Sequence, residues 1–172
     1  DGVNGPALWV SNGTARGTRM IRDFEPPPPT YSVSIRDLTV AGDLVFFAVT
    51  ELHGDELWVS DGTRAGTRLV KDIYPGSRSS TNEPWDALPH SSSPVRLGVA
   101  GGLFYFTAED GSHGRELWVS DGSAPGTVLV QDIRPGSPSG LDWYTRLVVS
   151  GNVAYFGAND GIHGQELWRL TL

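Results

Sequence analysis

Residues 109–116 read "EDGSHGRE" and residues 159–166 read "NDGIHGQE". An Asp, a His and a Glu within seven residues supply an imidazole and two carboxylates, the donor types of zinc and calcium sites. Asp110, His113 and Glu116 are therefore the metal candidates, although no metal and no cofactor is the expectation; calcium is the one ion considered, at the Asp61 and Asp121 turns. His53 in "TELHGDE" (50–56) and His163 hold the matching position, but the first copy carries Asn4 and Ala7 where His and Glu would stand. A site needed in every copy would not survive that exchange, although a site in a single copy would. The opposing reading is a turn histidine that bonds within its own loop. Catalytic signatures are absent: there is no GxSxG, HExxH or P-loop pattern. Paired carboxylates such as Glu83 and Asp86 suit glycoside chemistry, and nothing distinguishes this pair from ordinary acidic loop residues. The balance leans against an enzyme.

The elements that must position these residues show in a recurrent phrase. "ELWVSDGTRAGT" at 56–67 returns as "ELWVSDGSAPGT" at 116–127, as "ALWVSNGTARGT" at 7–18, and as a shortened "ELWRLTL" at 166–172. Trp9, Trp58, Trp118 and Trp168 lie 49, 60 and 50 residues apart, a spacing in the range of propeller blades. Each unit reads as four strands, a to d, rich in Val, Leu, Phe and Tyr and separated by Gly, Asn, Asp or Pro. In the second unit these are "IRDLTVAG" (35–42), "DLVFFAVTE" (43–51), "ELWVS" (56–60) and "TRLVKDI" (67–73). No stretch sustains a 3.6-residue apolar period, so almost no helix is expected. The fold class that follows is all-β, a β-propeller-type repeat of four-stranded antiparallel blades. Residues 1–172 form a single repeat domain: strands c–d over 1–24, full blades over 35–73 and 95–133, and strands a–c over 145–172. This is just over three blades, too few to close a ring, so a further propeller chain or a second copy is the expected partner.

The phrase resembles the ELWxxDGT repeat of bacterial secreted and surface proteins, through Glu56–Thr63, Glu116–Ser123 and, in part, Ala7–Thr14 and Glu166–Trp168. The resemblance implies a propeller-like repeat protein, extracellular or at the cell surface, and implies no reaction. Within the phrase, the Leu-Trp pair reads as packing between blades. Asp61, Asp121 and Asn12 read as turn residues whose side chains accept backbone N–H bonds. The turn histidines resemble those of WD-repeat blades, which bond within their own blade.

The parts that do not repeat are the connections from strand d to the next strand a: 25–34, 75–94 and 135–144. In a four-stranded meander they emerge at the same end as the b–c turns. Tyr31, Trp85, Trp143 and Tyr144 would then share a face with His53, His113 and His163, and with the acid Asp86. Exposed aromatic rings beside acids and amides suit the C–H faces and hydroxyls of sugars. The expected function is a non-enzymatic extracellular binding or adhesion module, recognising a glycan through this face. The alternatives are a piece of a secreted glycoside-type hydrolase and a purely structural surface repeat. A formal charge of −7 over 172 residues argues against nucleic acid as partner. No apolar run approaches the ~20 residues of a membrane span, and the absence of cysteine excludes disulfides and thiolate chemistry.

Overall fold

Residues 5–24, 33–79 and 87–172 are described in a computed structural model of the chain. They contain strands and turns and no helix. The first sheet pairs β1 (Ala7–Val10) with β2 (Arg19–Asp23). The second is a meander of β3 (Ser34–Ala41), β4 (Leu44–Glu51), β5 (Gly54–Ser60) and β6 (Arg68–Lys71). A short hairpin, β7 (Ser77–Arg78) and β8 (Leu88–Pro89), interrupts the connection that follows. The third sheet repeats the meander with β9 (Val95–Ala100), β10 (Leu103–Glu109), β11 (Arg115–Ser120) and β12 (Val128–Gln131). The fourth contains β13 (Val148–Ser150), β14 (Val153–Asn159) and β15 (Gln165–Thr171). All pairings are antiparallel. The fold is thus all-β, built of several small antiparallel sheets, and the described residues do not close into a barrel or ring.

Alternation of side chains across a strand explains how the sheets pack. On β10, Phe104 and Phe106 meet Phe46, Leu57 and Val59 of the second sheet. Tyr105, one residue out of phase, turns the other way and joins Leu117 against Ala154 and Phe156 of the fourth sheet. The first sheet covers the remaining face of the second, with Phe24 set edge-on to Trp58 at 5.0 Å between ring centroids. In the second and third sheets the Leu of the Leu-Trp pair (Leu57, Leu117) therefore faces the following sheet and the Trp (Trp58, Trp118) faces the preceding one. A cation on the preceding outer strand lies over that Trp: Arg22 over Trp58 at 4.9 Å and Lys71 over Trp118 at 5.8 Å. The first strands converge at one edge of the stack, where Leu147 N–H donates to Leu97 O at 3.3 Å.

The turns after β1, β5 and β11 are closed sets of hydrogen bonds. Asp121 Oδ1 accepts from the N–H and the hydroxyl of Ser123, both at 2.7 Å, and Gly126 N–H donates to Ser123 Oγ at 3.0 Å. Ser120 and Thr127 join their hydroxyls at 2.7 Å across the base of the turn, and Gly122 N–H donates to Ser120 Oγ at 3.0 Å. Asp61 with Thr63, and Asn12 with Thr14, repeat the arrangement. One acceptor oxygen suffices, and so Asn12 serves as well as the aspartates. Asp121→Asn is accordingly expected to change the urea-unfolding free energy by less than about 1 kcal/mol. It should also remove an acid-side loss, because the Ser123 bonds hold the Asp121 carboxyl below its ordinary value. Stability from such a group is present above the unfolded pKa and is lost as pH falls through the folded one.

Two features depart from the sequence reading. The first strand of the last unit, expected from residue 145, is confined to Val148–Ser150, because Thr145 instead bonds Asp142 in a local turn at 2.9 Å. The hairpin β7–β8 inside 75–94 was not expected.

Candidate functional site

At one end of the stack the d–a connections fold back over the start of the Leu-Trp strands. Glu56 and Glu116, which begin the phrase in the second and third units, hold them there. Glu116 accepts N–H bonds from Ile133 (3.1 Å), Arg134 (3.2 Å) and Gly140 (2.8 Å). Glu56 accepts from Ile73 N–H at 3.3 Å, Ser92 N–H at 2.7 Å and the Ser92 hydroxyl at 2.6 Å. Each Glu is 0 % exposed. Desolvation outweighs these bonds and raises the pKa of both carboxyls, Glu56 to about 8. Glu56 and Glu116 are therefore buried clamps between the leaving strand d and the arriving connection, whereas Glu166 of the last unit is exposed.

The clamp engages one member of the proposed metal trio. Both carboxyl oxygens of Glu116 are buried and accept bonds from backbone N–H groups, whereas Asp110 and His113 bond one another. Asp110 and His113 do meet: Asp110 Oδ1 accepts from Ser112 and His113 N–H, and Oδ2 lies 2.7 Å from His113 Nδ1. Asp160 and His163 form the same unit at 2.7 Å, and Glu51 contacts His53 Nδ1. The bonds from His113 hold Asp110 below its ordinary pKa against desolvation, and Asp110 in turn raises His113. Among the described residues no group of three His, Cys, Asp or Glu is placed to hold a metal ion. What the three turns present outward are imidazole rings whose side chains are 51 %, 40 % and 63 % exposed.

The same end carries residues that the sequence reading did not single out. The hairpin β7–β8 stands beside the b–c turns, and a shallow cleft along it is lined by Tyr74, Arg78, Pro89, His90, Ser91 and Glu109. The Tyr74 and His90 rings stand 4.2 Å apart, tilted by 36°. Gly111 lies so close that an added Cβ would sit 2.4 Å from the Tyr74 ring, which ties this cleft to the next histidine turn. A second hollow on the other flank of the hairpin is lined by Leu52, His53, Asp72, Gly76 and Pro89, among others. The only advance sign of the cleft was the extra length of 75–94, since Tyr74 and His90 meet across 15 intervening residues.

Of the predicted ligand residues, Trp143 stacks on the Arg115 guanidinium at 3.6 Å and remains 53 % exposed. Arg115 itself is buried and donates from Nη1 to Ser93 O (2.8 Å) and Thr107 Oγ1 (3.0 Å). Trp143 therefore offers one ring face to its own protein and keeps open surface. Tyr144 is 84 % exposed, and Asp142 Oδ1 accepts its N–H at 2.9 Å. His53, His113 and His163 lie on the same end, beside the d–a connections. Tyr31, Trp85 and Asp86, together with Glu83 of the acidic pair, lie outside the described residues. In comparisons with known proteins the chain matches no family model, no curated protein and no solved structure.

Proposed function

We propose that this protein is a non-enzymatic binding module that recognises a glycan through its d–a and b–c loop end. The supporting observation is a division of labour among its polar residues. The Asp, Ser and Thr side chains of the repeated turns and the Glu56 and Glu116 carboxyls are engaged in internal hydrogen bonds. The exposed Trp143 and Tyr144 and the cleft residues Tyr74, Arg78 and His90 instead lie on connections that differ between units. Tyr74, His90 and Trp143 supply ring faces for sugar C–H groups, and Arg78 and Glu109 flank the cleft with hydroxyl-binding groups. The stacked meanders are read as consecutive propeller blades of the ELWxxDGT type, working in a secreted or cell-surface setting.

Glycan-array screening followed by titration calorimetry tests this reading. Tyr74→Ala and Trp143→Ala are each expected to weaken binding of the best array ligand roughly tenfold or more, the loss of about 1.4 kcal/mol. Melting temperatures should stay within a few degrees, since Trp143 is half exposed and Tyr74 is outside the principal apolar clusters. A chain that binds no glycan on the array would remove the proposal.

A further inference from the structure

At the d–a and b–c loop end, each of the two aromatic platforms has an arginine close by. Arg78 is exposed and lines the same cleft as Tyr74 and His90. Arg146 is also exposed and stands on the same connection as Trp143, just ahead of β13. Both belong to the connections that differ between units, one on the hairpin strand β7 and the other at the close of the last d–a segment.

Neither arginine is ion-paired among the described residues, although the chain carries 20 Asp and Glu against 13 Lys and Arg. The ion pairs that do form join Arg36 to Asp37 and Asp55, and the three turn histidines to Glu51, Asp110 and Asp160. Arg146 donates from Nη1 to the Thr145 carbonyl at 2.8 Å instead. Asp142, on the same connection, gives its Oδ1 to the Thr145 hydroxyl and the Tyr144 N–H, both at 2.9 Å. Glu109, the acid of the cleft, lies opposite the buried cation Arg115 on the β10–β11 ladder. Arg96 extends the pattern. It is exposed, enters none of these pairs, and precedes Leu97, whose carbonyl accepts the N–H of Leu147 beside Arg146. Open guanidinium groups therefore accompany both rings, while Asp142 and Glu109 serve groups of the protein itself.

We propose that the glycan is anionic: Tyr74 and Trp143 stack on sugar rings whose carboxylate or sulfate groups are taken by Arg78 and Arg146. The inference rests on the glycan reading above and narrows it to acidic sugars. The planar fork of an arginine matches two oxygens of such a group with paired N–H···O bonds. The aromatic ring meanwhile covers the C–H face of the same sugar. A neutral sugar would use the rings and leave both guanidinium groups in water.

The test is a glycan array on the full chain that sets uronate-bearing and sulfated oligosaccharides beside their carboxyl-reduced and desulfated counterparts, followed by titration calorimetry. The strongest ligands should be acidic, and their neutral counterparts should bind about tenfold more weakly or worse. Affinity for the acidic ligand should also fall steeply as salt rises from about 50 to about 500 mM. Arg78→Gln and Arg146→Gln, both at exposed positions, should unfold at the wild-type temperature. Each should weaken the acidic ligand about tenfold and leave its neutral counterpart unchanged. A preference for the uronate arm or for the sulfate arm supports the proposal and names the acid group. Equal binding of acidic and neutral counterparts would overturn it and leave the glycan reading standing, as would full affinity in the Arg78→Gln, Arg146→Gln double variant. An array on which no glycan binds would overturn both.

Discussion

Glu116→Ala is expected to lower folding stability by about 3–5 kcal/mol in urea titrations, an effect usually associated with large core truncations. Three backbone N–H groups, on Ile133, Arg134 and Gly140, would lose their acceptor inside the protein. An unmade bond to a buried donor costs the full desolvation of that donor, far above the modest net value of a bond formed. The vacated volume adds a cavity, because the carboxyl is fully enclosed. Glu56→Ala should behave similarly through Ile73 and Ser92, and it also predicts a pH signature. Burial raises the Glu56 carboxyl from 4.5 to about 8. The folded state thus holds this proton more tightly than the unfolded state does. Stability from Glu56 is complete below the unfolded value and is lost as pH climbs towards about 8. Melting temperature should decline across that interval in the wild type, and the decline should flatten in Glu56→Ala. A pH-independent wild type would show that Glu56 titrates normally.

Gly126→Ala is the second large effect, expected at about 2–4 kcal/mol with little change in any surface property. A Cβ on Gly126 would lie 2.2 Å from Asp121 Oδ1, and the equivalent atoms on Gly66 and Gly17 would lie 2.0 Å from Asp61 and 1.8 Å from Asn12. Those carboxyl and amide groups cannot retreat without breaking the bonds that define the turn. The last glycine of the phrase is therefore fixed by close approach of a side chain, independently of backbone conformation. Thermal unfolding of Gly126→Ala alone and of Gly126→Ala with Asp121→Ala separates the causes. The double variant should recover part of the loss if the clash is responsible, and should be additive if it is not.

Sheet content was legible because its signals are local. Alternating apolar residues bounded by Gly, Asn and Asp place β4 within a residue of the 43–51 expected from the sequence. The turn chemistry of Asp61 and Asp121 was legible for the same reason, since every partner lies within four residues. The clamp role of Glu116 was not, because its acceptors serve N–H groups 17 to 24 residues away, and proximity in sequence suggested Asp110 and His113 instead. The pairing of Trp143 with Arg115 and of Tyr74 with His90 was hidden likewise, set by how the connections fold back over the sheets.

The central claim is that the repeated phrase builds the scaffold while the unlike connections do the binding. Calorimetric titration of an array-identified glycan against two variants in parallel addresses it directly. Asp61→Asn with Asp121→Asn alters the repeated turns, and Tyr74→Ala with His90→Ala alters the cleft. The cleft variant should lose binding roughly a hundredfold at a nearly unchanged melting temperature, and the turn variant should bind as the wild type does. Binding that fails in the turn variant and survives in the cleft variant would contradict the claim.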